Sequence, residues 1–133
     1  MLRDQGKLDE AEPLSREALA GKRETLGDKH PSTLTSLSNL GHLLREQGKL
    51  EEADPMLHEA LAQSREVLGH NHPDTLRYLW KLALLAKAQG KLEEAEAALT
   101  ETDAGAKEVL GADHHYTREY EQDLATLRKA GTA

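Results

Sequence analysis

Leucines and alanines recur along this chain every three or four residues, the spacing of one buried stripe on an α-helix. Glycines interrupt the stripe at regular intervals, so the pattern predicts several helices joined by short turns. Residues 1–5 match the last turn of a helix whose beginning lies outside the chain. The predicted helices then cover residues 8–26, 31–47, 50–68, 73–89, 92–110 and about 115–130.

One turn sequence occurs three times. The stretch QGKLEEA at residues 47–53 recurs as QGKLDEA at residues 5–11 and as QGKLEEA at residues 89–95, at a constant interval of 42 residues. Glycine can adopt the left-handed conformation that closes a helix, and carboxylates are favoured at the positive end of the next helix. The stretch therefore predicts the bend of a helical hairpin.

Further marks follow the same period. Leu-Gly occurs at residues 26–27, 68–69 and 110–111, and His-Pro at 30–31 and 72–73, with His-His at 114–115 and threonine at 33, 75 and 117. Proline suits the first position of a helix, so each period holds two helices, A and then B. We expect one repeat domain over residues 1–133, divided into 1–26 (partial), 27–68, 69–110 and 111–133 (partial).

Two departures from the period predict local weakness in B helices. Pro13 and Pro55 remove a backbone donor near the start of a helix, so we expect a bent or loosened first turn there. In the third B helix, residues 102–105 (TDAG) replace ALAQ of the preceding copy. An unpaired Asp103 in the stripe, with Gly105 behind it, would make this the weakest B helix.

Composition excludes several classes of protein. The net charge of −7 disfavours a nucleic-acid or anionic-membrane binder, and the chain has no cysteine for disulfides or thiolate sites. No apolar run is long enough to span a bilayer, and the N-terminus lacks the apolar core of a signal peptide. We expect a soluble, cytoplasmic protein without nucleic-acid or membrane partners.

The repeated marks together resemble the tetratricopeptide repeat (TPR), in the 42-residue form typical of kinesin light chains. The resemblance rests on HPxT at residues 30–33, LSNLG at 37–41, the QGKLEEA stretch and Leu68-Gly69, with a second copy that ends at Leu110. It implies an all-α fold, a right-handed superhelical solenoid of antiparallel helix hairpins. It also implies a non-enzymatic module that binds a peptide or protein segment in a concave groove lined by A helices.

Mapped by motif, the resemblance implies which side chains line that groove. It places Asn39 at a position where related repeats grip a ligand backbone, although Trp80, Lys81, Gln122 and Asp123 break the asparagine pattern in later copies. The implied groove residues are Thr35, Ser38, Asn39, His42 and Arg45 in the first complete A helix, Arg77, Trp80, Lys81, Leu84 and Lys87 in the next, and Glu119, Gln122, Asp123, Thr126 and Lys129 in the last.

The middle A helix has the most distinctive chemistry. An exposed Trp80 flanked by Arg77, Lys81 and Lys87 predicts a docking site for a peptide with acidic residues beside an apolar anchor. The alternative interpretation is that Trp80 packs between adjacent A helices while the cations are solvated.

Metal and catalytic sites are the other candidates. His70, His72, His114 and His115 lie in equivalent turns, where histidine repeats because the turn repeats, and zinc needs three or four convergent ligands. The paired carboxylates at 9–10, 51–52 and 93–94 point about 100° apart on a helix and do not converge on a substrate. No cofactor, metal or enzymatic activity is expected.

Two functional classes remain open at this stage. The first is a peptide-binding adaptor that uses the A-helix groove around Trp80. The second is a structural segment of a longer solenoid, or a self-associating module, because the stripe of the first B helix (Leu8, Ala11, Leu14, Ala18 and Leu19) lacks most of its A-helix cover.

Overall fold

The structure, a computed structural model, describes residues 2–132 of the chain and the side chains of residues 6–130. This part of the chain consists of six helices joined by short turns and contains no β-strand. The predicted all-α class is confirmed, and from the second helix onwards each boundary lies within two residues of its expected position. The helices are α1 (Leu2–Leu26), α2 (Pro31–Glu46), α3 (Leu50–Val67), α4 (Pro73–Ala88), α5 (Leu92–Val109) and α6 (His115–Thr132).

The start of α1 differs from the prediction. We expected a turn at Gly6, but α1 is one helix from Leu2, and Gly6 is not among the glycines with positive φ. Residues 2–5 therefore belong to the same continuous helix as the residues after Gly6. Met1 lies outside the described residues. In the scheme of alternating helices, α1, α3 and α5 are the B helices, and α2, α4 and α6 are the A helices.

The turns from A to B helices have the predicted glycine closure. Gly48 adopts φ 82°, and its N–H donates to the carbonyl of Arg45 at 2.9 Å while the N–H of Lys49 donates to that of Leu44 at 2.8 Å. This pair of bonds is the Schellman motif, which satisfies carbonyls that the helix leaves open. Gly90, at φ 81°, closes α4 with the same two bonds, so both copies of the bend have one structure.

The turns from B to A helices are capped by histidine, which the sequence pattern did not predict. Nδ1 of His30 accepts a hydrogen bond from the backbone N–H of Ser32 at 3.0 Å. His72 and His114 accept in the same way from the backbone N–H groups of Asp74 and Tyr116, at 3.0 and 3.2 Å. The imidazole thus does what a serine or aspartate usually does at a helix start, which explains physically why histidine recurs before each A helix.

The two prolines do not interrupt their helices. Helices α1 and α3 are continuous through Pro13 and Pro55, so the expected loosening of the first turn is not present as a break. Pro55 and Glu51 are both exposed. The carbonyl that loses its donor therefore faces water, which can take the place of the missing N–H.

The chain separates into two compact units, unit 1 (residues 1–67) and unit 2 (residues 68–133). In unit 1 the A helix α2 packs against both B helices, α1 and α3. Gly41 of α2 lies so close to Leu57 of α3 that a Cβ on the glycine would stand 2.7 Å from the leucine side chain. Arg23 of α1 bonds both carboxylate oxygens of Glu59 in α3, at 2.9 and 3.2 Å.

In unit 2 the B helix α5 packs against both A helices, α4 and α6. One part of its core joins Ala83 and Ala86 of α4 to Ala95 and Leu99 of α5. Leu124 and Leu127 of α6 complete the same cluster. In this cluster, alanines of α4 and α5 pack together with leucines of α5 and α6.

Residues 102–105 of α5, which depart from the repeat, have two structural features that offset their expected cost. Asp103 is not unpaired as predicted, because Nζ of Lys107 lies 3.1 Å from one of its carboxylate oxygens. Gly105 is buried, and a Cβ there would stand 2.6 Å from the side chain of Leu76 in α4. The glycine thus lets α4 and α5 approach closely, and Tyr120 of α6 fills the adjoining space against Leu76.

Candidate functional site

The predicted surface of α2 lies in unit 1 and is mostly neutral. Asn39 is exposed, and Arg45 and His42 are half-buried, with Nε2 of His42 at 3.3 Å from a carboxylate oxygen of Glu46. Ser38 is buried. The Ser38 hydroxyl and the Arg45 Nε atom are both enclosed and make no hydrogen bond within the described part of the chain. Thr35 is half-buried, and its hydroxyl donates to the carbonyl of Pro31.

The predicted cations of α4 have three different environments. Arg77 is half-buried and pairs with the carboxylate of Asp74 at 2.9 Å, one helical turn away. Lys87 is exposed at the end of the helix. Lys81 is buried, and this burial, followed by the nearby charge of Arg77, lowers the pKa of its ammonium group to about 8. The expectation that all three cations line an open surface is therefore wrong for Lys81.

Trp80 is not the exposed anchor that the sequence suggested. Its indole Nε1–H donates to a carboxylate oxygen of Asp123 in α6 at 2.7 Å. Its ring lies 5.6 Å from the ring of Tyr120, centroid to centroid, with the planes tilted by 44°. Trp80 thus packs between two A helices, which was the alternative interpretation. This bond directly joins two of the predicted site residues, Trp80 and Asp123.

The remaining predicted positions lie on or near the same unit. Leu84 of α4 is half-buried, and Gln122 of α6 is exposed. Glu119, Thr126 and Lys129 of α6 are exposed as well. Three of the predicted positions on α4 combine charge with a partly exposed apolar side chain, and we call Arg77, Leu84 and Lys87 the α4 surface.

The charge of α4 sets this helix apart. It carries three cations, Arg77, Lys81 and Lys87, against one carboxylate, Asp74, in a chain whose net charge is −7. Helix α2 carries one cation, Arg45, and one carboxylate, Glu46. A cationic helix on an acidic protein favours encounter with anionic segments of a partner.

Five of the seven histidines lie in or beside the turns that precede A helices, whereas His42 and His58 lie within α2 and α3. Three of them are the caps described above, and His114 and His115 stack on each other with ring centroids 5.2 Å apart. Among the described residues, no group of three or more histidine, cysteine, aspartate or glutamate side chains is arranged to hold a metal ion. The caps could have been found from the sequence, because His-Pro at a fixed period already marked helix starts.

None of the six described helices has a segment both long and apolar enough to cross a lipid bilayer. This finding concerns helices within residues 2–132 alone.

The comparisons with known proteins agree with this geometry. A family model for the tetratricopeptide repeat matches residues 1–62 and again residues 36–102. The chain belongs to the tetratricopeptide repeat family. TPR repeats are protein-interaction modules, and in general they are non-catalytic scaffolds. No curated protein sequence matches this TPR chain significantly.

Solved structures show the same fold. A crystal structure of nearly identical TPR-like repeats, from a Podosopora anserina protein of kinesin-light-chain type, has a TM-score of 0.88 and 28% identity over 98% of this chain. A variant of that crystallised protein has a TM-score of 0.87 and 28% identity, again over 98% of this chain. BtubC (BKLC) from P. vanneervenii has a TM-score of 0.86 at 18% identity over 96% of this chain. The chain spans 63%, 62% and 51% of these three structures.

Proposed function

We propose that this TPR chain is a non-enzymatic interaction module that binds an acidic segment of a partner protein on the α4 surface. The observations that carry the proposal are the exposed Lys87 and the half-buried Arg77 of α4 in a chain of net charge −7, because Lys81 is buried and does not reach a ligand. Lys87 is exposed and Arg77 half-exposed, so carboxylates of a ligand can reach both side chains. A cytoplasmic location, and the absence of cofactor, membrane or nucleic-acid partners, belong to the same proposal.

The apolar part of the ligand would contact Leu84 rather than Trp80. Leu84 lies between Arg77 and Lys87 at a spacing of seven and three residues, which places the three side chains on one face of the helix. The indole N–H of Trp80 is already bonded to Asp123. Trp80 is instead a built-in reporter, because it is the chain's one tryptophan and lies on the same helix.

A fluorescence titration tests the proposal. The probes are a short peptide of alternating glutamate and leucine and its lysine counterpart. We expect the glutamate peptide to shift the emission of Trp80 and to bind more weakly as the salt concentration rises. We expect Lys87→Glu to weaken binding of the glutamate peptide about tenfold, because it replaces one attractive charge contact by a repulsive one.

The matched control is Lys91→Glu, an exposed lysine in the turn just beyond α4. Lys91→Glu changes the net charge by the same amount as Lys87→Glu. Because Lys91 lies outside the α4 surface, its substitution should leave the affinity for the peptide nearly unchanged. Equal weakening in both variants, or equal binding of the lysine peptide, would show that only overall charge acts and would refute a site on α4.

A structural or self-associating role is the second candidate. It is favoured by one observation, the uncovered apolar residues of α1. Leu14 is 68% exposed, whereas its counterpart Met56 in α3 is half-buried.

A further inference from the structure

Three histidines hold the starts of the A helices in one common geometry. Nδ1 of His30, His72 and His114 accepts a hydrogen bond from the backbone N–H two residues later, at 3.0, 3.0 and 3.2 Å. Only the neutral imidazole has an acceptor nitrogen, because both ring nitrogens of the protonated form carry hydrogen. Protonation therefore converts the capping group of each A helix from an acceptor into a donor.

Protonation of a capping histidine would act on the helix start in two ways. The backbone N–H that the ring accepts would lose its partner and would face another N–H. The new positive charge would also lie at the positive end of the helix dipole, where a cation is unfavourable. Serine, threonine, aspartate and asparagine, the usual capping residues, gain no positive charge in acid. The histidine caps thus differ from the usual ones in their response to acid.

The carboxylates around the cap of unit 1 already have partners. His30 follows Lys29, whose Nζ lies 2.9 Å from a carboxylate oxygen of Glu66 in α3. Asp28, in the same turn, pairs with Arg23 of α1 at 2.9 Å. Both carboxylates are thus bound to cations, and they would compensate a positive charge on His30 only weakly.

The first cap of unit 2, in contrast, has a carboxylate beside it. Oδ2 of Asp74 lies 4.0 Å from Nδ1 of His72, while Oδ1 of Asp74 is bonded to Arg77 at 2.9 Å. From the neighbouring α5, Glu108 accepts a hydrogen bond from Asn71 of the same turn at 3.4 Å. Because Asp74 would partly compensate a positive charge on His72, we expect protonation of this cap to cost least.

The second cap of unit 2 has another histidine beside it. The rings of His114 and His115 stack with their centroids 5.2 Å apart and their planes 20° from parallel. The nearby Asp113 is fully exposed, and its carboxylate lies 3.8 Å from Arg118. Lys107 of α5 pairs with carboxylates of its own helix and of α6. Protonation of both histidines would place positive charges in adjacent rings, so we expect it to cost most at this cap.

The two histidines inside helices should respond to acid in the opposite way. Nε2 of His42 lies 3.3 Å from a carboxylate oxygen of Glu46, and Nε2 of His58 lies 3.5 Å from one of Asp54, each one helical turn away. A positive charge on either ring would be attracted by its carboxylate. The capping histidines and the helix-interior histidines thus predict effects of opposite sign, which an experiment can separate.

We propose that the three histidine caps form a proton-sensitive switch that releases the starts of the A helices as the pH falls from about 7.5 to about 5.5. The buried leucines still hold each helix, so the switch frees first turns rather than whole helices. Asp74, in the first turn of α4, is the partner of Arg77, so the switch also loosens the contact that holds Arg77. The proposal itself does not depend on ligand binding at the α4 surface.

Hydrogen exchange of the intact ¹⁵N-labelled chain tests the switch at each cap. Protection factors, corrected for the intrinsic exchange rate at each pH, should fall about fivefold at the amides of Ser32, Asp74 and Tyr116 on acidification. The amides of Gly48 and Gly90 donate to backbone carbonyls in the other turns. They are the matched controls, and their protection should not change.

Asparagine caps separate the switch from the other titrating groups. The variant combines His30→Asn, His72→Asn and His114→Asn, and each asparagine can cap a helix without titrating. Between about pH 7.5 and 5.5, the parent chain should lose stability relative to this variant by about fivefold in the folding equilibrium constant for each cap. Urea denaturation followed by circular dichroism measures both chains. The matched control combines His42→Gln and His58→Gln and should retain the full acid effect.

Three outcomes would overturn the proposal. These are an equal effect of acid on the parent chain and the asparagine variant, loss of the acid effect in the glutamine control, and unchanged protection of the capped amides in acid. Single variants add a check on the charges around each cap. His114→Asn should remove the largest share of the acid effect and His72→Asn the smallest, and the reverse order would also contradict the proposal.

Discussion

Units 1 and 2 use the same turns but fill their interiors differently. In unit 1 the A helix α2 has Ser36, and its neighbour α3 has Leu61, which is buried. In unit 2 the matching position of α6 is Tyr120, which is 2% exposed, and Leu61 is replaced by Asp103 of α5. The ring of Tyr120 packs against Leu76 and Ala106, and Leu76 also lies against the small Gly105 of the B helix. The two units therefore share the same turns but differ in which positions carry the large buried side chains.

The surfaces of the two units differ at the same positions. Asn39 of α2 is exposed, whereas its counterpart Lys81 in α4 is buried. Ser38 is replaced by Trp80, which reaches α6. We expect function where the copies disagree. Of these two substitutions, only Lys81 adds a positive charge to α4, and its side chain is buried.

The largest expected effect is the loss of the buried ring of unit 2. Tyr120→Ala should lower the free energy of unfolding by about 3–5 kcal/mol, since it removes a large side chain packed against Leu76 and Ala106. Ser36→Ala, the equivalent change in α2 of unit 1, should cost less than about 0.5 kcal/mol. Urea denaturation followed by circular dichroism measures both. Similar losses in the two variants would mean that the interiors are not filled differently.

The stability of the chain should depend on pH because of Lys81 in α4, whereas its counterpart Asn39 in α2 does not titrate. The pKa of Lys81 is lowered from 10.5 to about 8, so between these values the unfolded chain holds a proton that the folded chain has released. Stability should therefore rise with pH in this window, by on the order of 2 kcal/mol, and be flat just below it. Above pH 10 the raised pKa of Tyr120, about 12, acts in the opposite direction.

Lys81→Met is the control for the pH effect, because it keeps the buried stem and removes the titrating group. The difference in unfolding free energy between the parent chain and this variant, measured from about pH 7 to 10, isolates Lys81. A constant difference across that range would contradict the burial of its charge.

A smaller effect is expected at Gly105. Gly105→Ala gains about 1 kcal/mol of helix propensity but places a methyl group 2.6 Å from the side chain of Leu76, which costs about 1–3 kcal/mol, so we expect a net loss of up to about 2 kcal/mol. Gln63→Ala at the matching position of unit 1 should be nearly neutral. A stabilised Gly105→Ala variant would mean that α4 and α5 do not need this close approach.

The smallest effect concerns a feature that the units share. His30→Ala in unit 1 and His72→Ala in unit 2 should each cost about 1 kcal/mol, because each removes the acceptor for a backbone N–H at the start of an A helix. Asparagine at either position should restore most of the loss. If the alanine variants are as stable as the parent chain, the histidine caps contribute nothing.

The turns and helix limits could be predicted because their causes are local in sequence. Gly48 and Pro31 determine where helices end and begin through their own backbone geometry, whatever lies around them. The start of α1 could not be predicted in the same way. Gly6 has the sequence context of Gly48 and Gly90, but its φ is not positive and α1 is continuous through it.

The environment of the site residues could not be predicted because it depends on distant partners. Trp80 is bonded to a residue 43 positions away, and periodicity alone does not say whether an indole faces a neighbouring helix or the solvent. Lys81 lies on the predicted helix, but its burial follows from packing against neighbours that the pattern does not specify. The number of cations on α4 could be read from the sequence, but the burial of Lys81 and the pairing of Arg77 with Asp74 could not.

The central claim is that α4 receives an acidic partner segment, and chemical-shift mapping tests it most directly. The ¹⁵N-labelled chain is titrated with the glutamate–leucine peptide and followed by amide spectra. The account predicts that the shifted amides concentrate in Pro73–Ala88, with the largest changes near Arg77, Leu84 and Lys87. Shifts confined to the B helices, or spread evenly along the chain, would contradict it.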